Sequence, residues 1–248
     1  MTILQNAADV LRLFGTGSTE LTVSEVTTRL SMPKANASRL MRAMRDAGLL
    51  ETIGDTRRHR PGRLVLDLAV AFKHSSGVIG RASEVVAEVS RQFGHTGYIS
   101  LREGREVTGI ADFPGTNTLR VMGAIGRRLK AEASATGRSL LARLPEDEVR
   151  ALYAGQDGAG ALTARLAAIR EQGFAFSSQE ATPGVDAIAI AVADPATDEA
   201  VSLCIVYPHA VVDLEDRDRM LAALAAGATR ITHELGDTAF LEPSFSQK

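Results

Sequence analysis

Apolar residues recur at helical spacing at Ile3, Ala7, Val10, Leu11 and Phe14, and Gly15 to Ser18 then break the pattern. The spacing predicts a first, core-packed helix. A second opens at Thr22, whose S/T-x-x-E relation to Glu25 lets each side chain satisfy an orphan amide at a helix start. It presents Val23, Val26 and Leu30 inward, and Ser31, Met32 and Pro33 end it. Pro33 suits the first turn of a third helix that runs to about Asp46 and closes at Gly48. Ala37, Leu40, Met41 and Met44 form its inward stripe, which leaves Lys34, Asn36, Ser38, Arg39, Arg42 and Arg45 on other faces. After Leu49, Leu50 and Ile53 comes a hairpin tip, Asp55 to Arg60, that carries Arg57, Arg58 and Arg60.

Leu64 to Ala71 is apolar and helix-permissive, which predicts a connecting helix ending near Ser75, Ser76 and Gly77. Ile79, Ala82, Val85, Val86, Val89 and Phe93 stripe a further helix closed by Gly94. That stripe suits a dimer interface and an ordinary core face equally well. From Thr96 the period shortens: YISL and EVTGIAD read as a hairpin turning at Glu103 and Gly104, and TLRVM as another strand. Helices follow over 134–143 and 145–153, then the loop AGQDGAG, then the helix LTARLAAIREQ closed by Gly173. AIAIAVA and AVSLCIV read as strands around the turn DPATDE, and a long final helix, Leu214 to Leu235, is capped by Asp213. Strands mixed with helices at hairpin-like spacings predict an α+β fold with three parts, 1–63, 64–78 and 79–248.

Charge separates these parts. Residues 1–63 hold 10 Lys/Arg against 6 Asp/Glu, whereas 64–248 hold 18 against 24. Over 29–63 alone, 9 basic residues face 3 acids, so a phosphate-facing surface belongs at the N-terminal end. A basic helix face alone is usually just solvated. A tight helix pair followed by an arginine-rich hairpin shifts the balance to a duplex-DNA reader, with Lys34, Arg57, Arg58 and Arg60 on phosphates and Asn36, Ser38, Arg39 and Arg42 in the major groove.

A single cysteine, Cys204, excludes an intramolecular disulfide framework and suits a reducing compartment. MTILQNAADV has no basic region ahead of an apolar run, and the longest apolar run, Ala187 to Ala193, is too short to cross a bilayer. A cytoplasmic protein without a membrane partner is expected. The chain lacks G-x-S-x-G, a Walker loop and H-E-x-x-H, and Gly155, Gly158 and Gly160 have the wrong order for a dinucleotide fingerprint. His59, His74, His95, His209 and His233 are scattered singly, and Cys204 sits in an apolar strand as a small hydrophobe would. Neither an enzyme, a metal nor a cofactor is expected.

With these residues laid out, the chain resembles the IclR family of bacterial transcriptional regulators. The likeness lies in LTVSEVTTRLSMPKANASRLMRAMRDAGLLE, IGRRLKAEASATGRSLLARLP, LAAIREQGFAFSSQEATPGVDAIAIAV and LEDRDRMLAALA, four blocks in order along the chain. The resemblance implies a winged helix-turn-helix at 1–63, a linker helix at 64–78 and a GAF-like effector-binding and oligomerisation domain at 79–248, its antiparallel sheet flanked by helices. It further implies a dimer, often a dimer of dimers, and control of operator DNA by a small carboxylic or aromatic acid.

In the family the effector pocket is similar to a cup over the sheet, closed by the loop that here reads SATG. Carried over, the backbone amides of Ala135 and Thr136 meet the acid group, Ser177 stands at a polar pocket position, and Ala187, Cys204 and Val206 face inward from two late strands. Ala187 and Val206 replace polar contacts of the small-acid members, which implies a larger or aromatic ligand. The alternatives are a constitutive DNA-binding protein whose second domain only oligomerises, and a small-molecule-processing enzyme with a vestigial DNA domain.

Overall fold

The computed structural model describes residues 2–14, 18–122 and 125–244, so of the expected break at Gly15 to Ser18 all but Ser18 lies outside the described residues. The chain divides into two compact units, Met1–Ser75 and Ser76–Lys248.

The first unit contains α1 (Ile3–Phe14), β1 (Leu21–Thr22), α2 (Val23–Arg29), α3 (Lys34–Asp46), β2 (Leu50–Thr52), β3 (Arg58–Pro61) and α4 (Arg63–Ser75). The Thr22–Glu25 capping box forms as the spacing requires: Thr22 Oγ1 accepts from the Glu25 amide at 3.2 Å, and the Thr22 amide donates to Glu25 Oε2 at 2.7 Å. These bonds hold the Glu25 carboxyl below its ordinary pKa. Val10, Val26, Ala37, Leu40, Met41, Met44 and Leu50 make the core, so the inward stripes of α2 and α3 are as spaced in the sequence. The strands form a small antiparallel sheet in the order β1-β3-β2. Its base closes tightly against the end of α3, where a Cβ on Gly62 would lie 2.1 Å from the Gly48 carbonyl oxygen. None of the residues of α4 is buried.

The second unit runs α5 (Gly77–Phe93), β4 (Thr96–Glu103), β5 (Glu106–Phe113), β6 (Arg128–Lys130), a 3₁₀ turn (Ala131–Ala133), α6 (Ala135–Ala142), α7 (Glu146–Leu152), α8 (Ala159–Gln172), β7 (Ala175–Ser178), β8 (Val185–Asp194), β9 (Glu199–Pro208) and α9 (Leu214–Leu235). An antiparallel sheet of order β6-β5-β4-β9-β8-β7 forms its middle layer. On β8 the alternation of AIAIAVA divides by size. Ile188, Ile190 and Val192 pack with α5 and α9, whereas Ala187, Ala189 and Ala191 face α6 and α8. Bulk therefore fills one face, and the small side chains leave space on the other. The α+β expectation holds, with helices on both faces of an antiparallel sheet.

Local differences from the sequence reading have physical causes. Thr118 to Met122 is not a strand, because its carbonyls are taken by side chains instead of a ladder: Thr96 Oγ1 donates to Val121 O at 2.6 Å and Tyr98 Oη to Met122 O at 3.1 Å. The strands β6 and β7 were not anticipated, being three and four residues long, too short to show a period. α8 starts at Ala159, inside the glycine-rich stretch, and α4 continues to Ser75 before α5 opens on the Ser76 cap. The segment 64–78 thus holds nearly all of α4 and the first residues of α5.

Candidate functional site

In the first unit, α3 and the β2–β3 hairpin enclose a groove of about 510 Å³. Lys34, Ser38, Arg42, Arg45 and Arg57 line it together with Thr22, Ser24, Thr52 and Thr56, and no carboxylate is among the described lining residues. A concave surface with this charge fits phosphate. Other sequence-predicted residues stand differently. Asn36 and Arg39 are exposed on α3 and bonded to each other, Arg39 Nη2 donating to Asn36 Oδ1 at 2.7 Å. Arg58 and Arg60 on β3 are held by Glu20 and Glu51, which weakens their claim on a phosphate relative to Arg57.

In the second unit, the face of the sheet left open by small side chains holds a cavity of about 350 Å³. Ala135, Thr136, Ser177, Ala187, Cys204 and Val206, drawn from α6, β7, β8 and β9, all line it. Ser134 caps α6, its Oγ accepting from the Gly137 amide at 3.1 Å, and the first-turn residues Ala135 and Thr136 line the cavity at the positive end of the helix dipole. Burial pushes the Cys204 thiol up to about 12, and burial, reinforced by Cys204 and Asp112 against Arg127, pushes the Tyr98 hydroxyl up to about 12. Both are neutral donors at physiological pH. No Asp or Glu is among the described lining residues. Nor is there, among the described residues, any group of three or more His, Cys, Asp or Glu that could hold a metal, or any helix long and apolar enough to cross a membrane.

Family models match two stretches: the IclR helix-turn-helix domain over residues 3–54, and the bacterial transcriptional regulator IclR C-terminal domain over 70–233. The chain belongs to the IclR family. It is a DNA-binding transcriptional regulator of the helix-turn-helix type. Among curated IclR-type relatives, the HTH-type transcriptional regulator XynR of Escherichia coli is 28% identical over 199 residues, covering 76% of this chain and 79% of its own. An IclR transcriptional regulator from Silicibacter superposes with a TM-score of 0.86 at 24% identity, over 98% of this chain and 100% of that one. An IclR homolog from Microbacterium hydrocarbonoxydans, solved in complex with 4-hydroxybenzoate, shares the fold with a TM-score of 0.76 at 19% identity, over 94% of this chain and 100% of that one.

The cavity of this IclR-family chain is also lined by residues that the sequence reading missed. Tyr98 and Ser100 alternate along β4 on the face of Cys204, and the register pairs Tyr98 with Cys204 and Ser100 with Ser202. Their period-two spacing within an expected strand was the signal that could have found them. Val121, Met122, Arg127 and Thr182 reach the cavity from irregular segments, where local sequence carries no such period.

Proposed function

We infer that this IclR-family protein is a ligand-responsive regulator of DNA binding, with an organic acid of apolar or aromatic body as effector. The observation that carries this is the cavity: the first turn of α6 in its lining, mostly apolar walls, and no acidic side chain among its described lining residues. A carboxylate on the amides of Ala135 and Thr136 gains the helix dipole, and Ala187 and Val206 leave room for a ring beside Cys204 and Ser177. Residues 1–63 read DNA, with Lys34 and Arg57 on phosphates and Asn36, Ser38, Arg39 and Arg42 on bases. Arg58 and Arg60 act at the edge of that surface.

Self-association belongs to the same reading. A helix of 13 residues with nothing buried is not stable alone, and α4 exposes Leu64, Leu66, Leu68, Val70 and Phe72. A second copy packed along α4 covers them, and 64–78 then spaces two reading heads on one operator.

The test is operator binding by the full chain on the DNA upstream of its own gene, with and without 4-hydroxybenzoate, alongside thermal unfolding with a panel of aromatic and aliphatic acids. Ligand at about 100 times its Kd stabilises by about 2.7 kcal/mol. If no acid of the panel raises the unfolding temperature or changes DNA affinity, the effector reading fails and a constitutive regulator remains.

A further inference from the structure

Arg127, between β5 and β6, is the sole cationic side chain among the described residues lining the cavity. Its neighbour Arg128 is held by Glu106 at 2.9 Å. Arg127 has no carboxylate within ion-pair distance among the described residues, and its one side-chain hydrogen bond is long, from Nη1 to Thr182 Oγ1 at 3.5 Å. Thr182 lies between β7 and β8 and lines the cavity too. Since β6 and β7 are the two edges of the sheet, this contact spans the cavity mouth from one edge of the curled sheet to the loop following the other.

The cavity is graded in depth. Ser134, Ala135 and Thr136 are 3%, 2% and 8% exposed, whereas Arg127 is exposed and Met122 beside the mouth is 71% exposed. Val121, Leu129, Val185 and Val206 supply apolar wall. Ser100 and Ser177, 5% and 2% exposed, line the cavity, and neither hydroxyl makes a hydrogen bond among the described residues or is sealed from the cavity. Hydroxyls open to the cavity are free to bond a polar ligand.

We propose that the cavity selects a doubly acidic effector, a dicarboxylic acid with an apolar body. One carboxylate sits on the α6 amides at the floor, and the other pairs with Arg127 at the mouth. The inference rests on the effector reading above and sharpens it. A guanidinium presents parallel donors that match a carboxylate, so the second acid group replaces the long Thr182 contact with charge-assisted bonds. A monoacid leaves Arg127 to solvent at no cost, so the preference arises only from the second charge. Bridging the mouth also ties the β5–β6 segment to the β7–β8 loop through the ligand.

Calorimetric titration of the full chain with terephthalate and with 4-methylbenzoate tests this, because the two acids share the ring and the first carboxylate and differ in the para group, a second carboxylate in one and a neutral methyl in the other. Terephthalate is expected to bind about tenfold more tightly, a difference of about 1.4 kcal/mol. R127Q is expected to abolish that preference while leaving 4-methylbenzoate within about threefold of wild type, and R127K to keep part of it. Equal or tighter binding of 4-methylbenzoate by wild type, or equal losses for both acids in R127Q, overturns the second anchor and leaves the acid-effector reading standing. Binding of neither acid sinks the aromatic-acid reading together with the anchor. Unfolding temperatures of the unliganded variants show whether a loss comes from misfolding, and Arg127→Ala offers a second substitution at the same exposed position.

Discussion

Arg138 of α6 grips Glu180 with two bonds, Nη1 to Oε2 at 2.9 Å and Nη2 to Oε1 at 3.1 Å, and so ties the helix beneath the cavity to the loop beside its mouth. The arginine is 2% exposed and also donates to the carbonyls of Glu132 and Phe176, so each of its two Nη atoms makes two bonds within the fold. Glu180 immediately precedes Ala181 and Thr182, which line the cavity.

Replacing Glu180 by Ala leaves a buried guanidinium without its counter-charge. Full loss of a partner from a buried pair costs about 3 to 5 kcal/mol, but Glu180 is 32% exposed and Arg138 keeps two carbonyls. The expected loss is about 1 to 3 kcal/mol in urea unfolding, together with weaker effector binding. Unchanged stability and affinity in Glu180→Ala exclude this anchoring role.

The same pair gives an acid-sensitive term. Burial raises the Glu180 carboxyl, but hydrogen bonds and charge from Arg165 and Arg138 outweigh it and hold the group below its ordinary 4.5. A depressed folded pKa contributes stability that is present above the unfolded value and lost as pH falls through the folded one. The stability gap between wild type and Glu180→Gln is therefore expected to stay constant from about pH 7 to 5.5 and to shrink below about 4.5. A gap that widens on acidification contradicts the sign.

On α3, Arg39 and Asn36 hold one another at 2.7 Å. If both read base edges, each alanine substitution costs about 1 to 3 kcal/mol of discrimination, and the double variant costs less than the sum because each single change already frees the other. Binding isotherms on specific and scrambled duplexes measure this, and strict additivity speaks against a shared contact.

Arg57, in the groove and without a carboxylate partner among the described residues, is expected to lower the slope of log K against log salt by about 1 when changed to alanine. Arg60, already held by Glu51, is expected to lower it less. Equal slopes for the two variants refute this ranking.

The sequence made the first unit legible because its signals are local: a capping box, an inward stripe and a proline at a helix start are each complete within a few residues. The two late strands and α9 were legible for the same reason, since AIAIAVA and the Asp213 cap need no distant partner. Thr118 to Met122 misled because its backbone is satisfied by Thr96 and Tyr98, more than twenty residues upstream. All six effector-pocket residues carried over by resemblance share one cavity, yet Arg127 stayed hidden. Its place at the mouth depends on how the sheet curls, and no spacing along the chain encodes that.

The alternation on β8 also bears on how such a protein diversifies. Ala187 lines the cavity, while Ile188 on the opposite side of the same strand belongs to the packing with α5 and α9. A change of side chain at one position therefore alters the shape of the cavity before it reaches the packing on the other face. If the cup holds an effector as proposed, a change at Ala187 acts first on what the cup admits and a change at Ile188 first on the packing with α5 and α9, so one strand carries two separately adjustable surfaces.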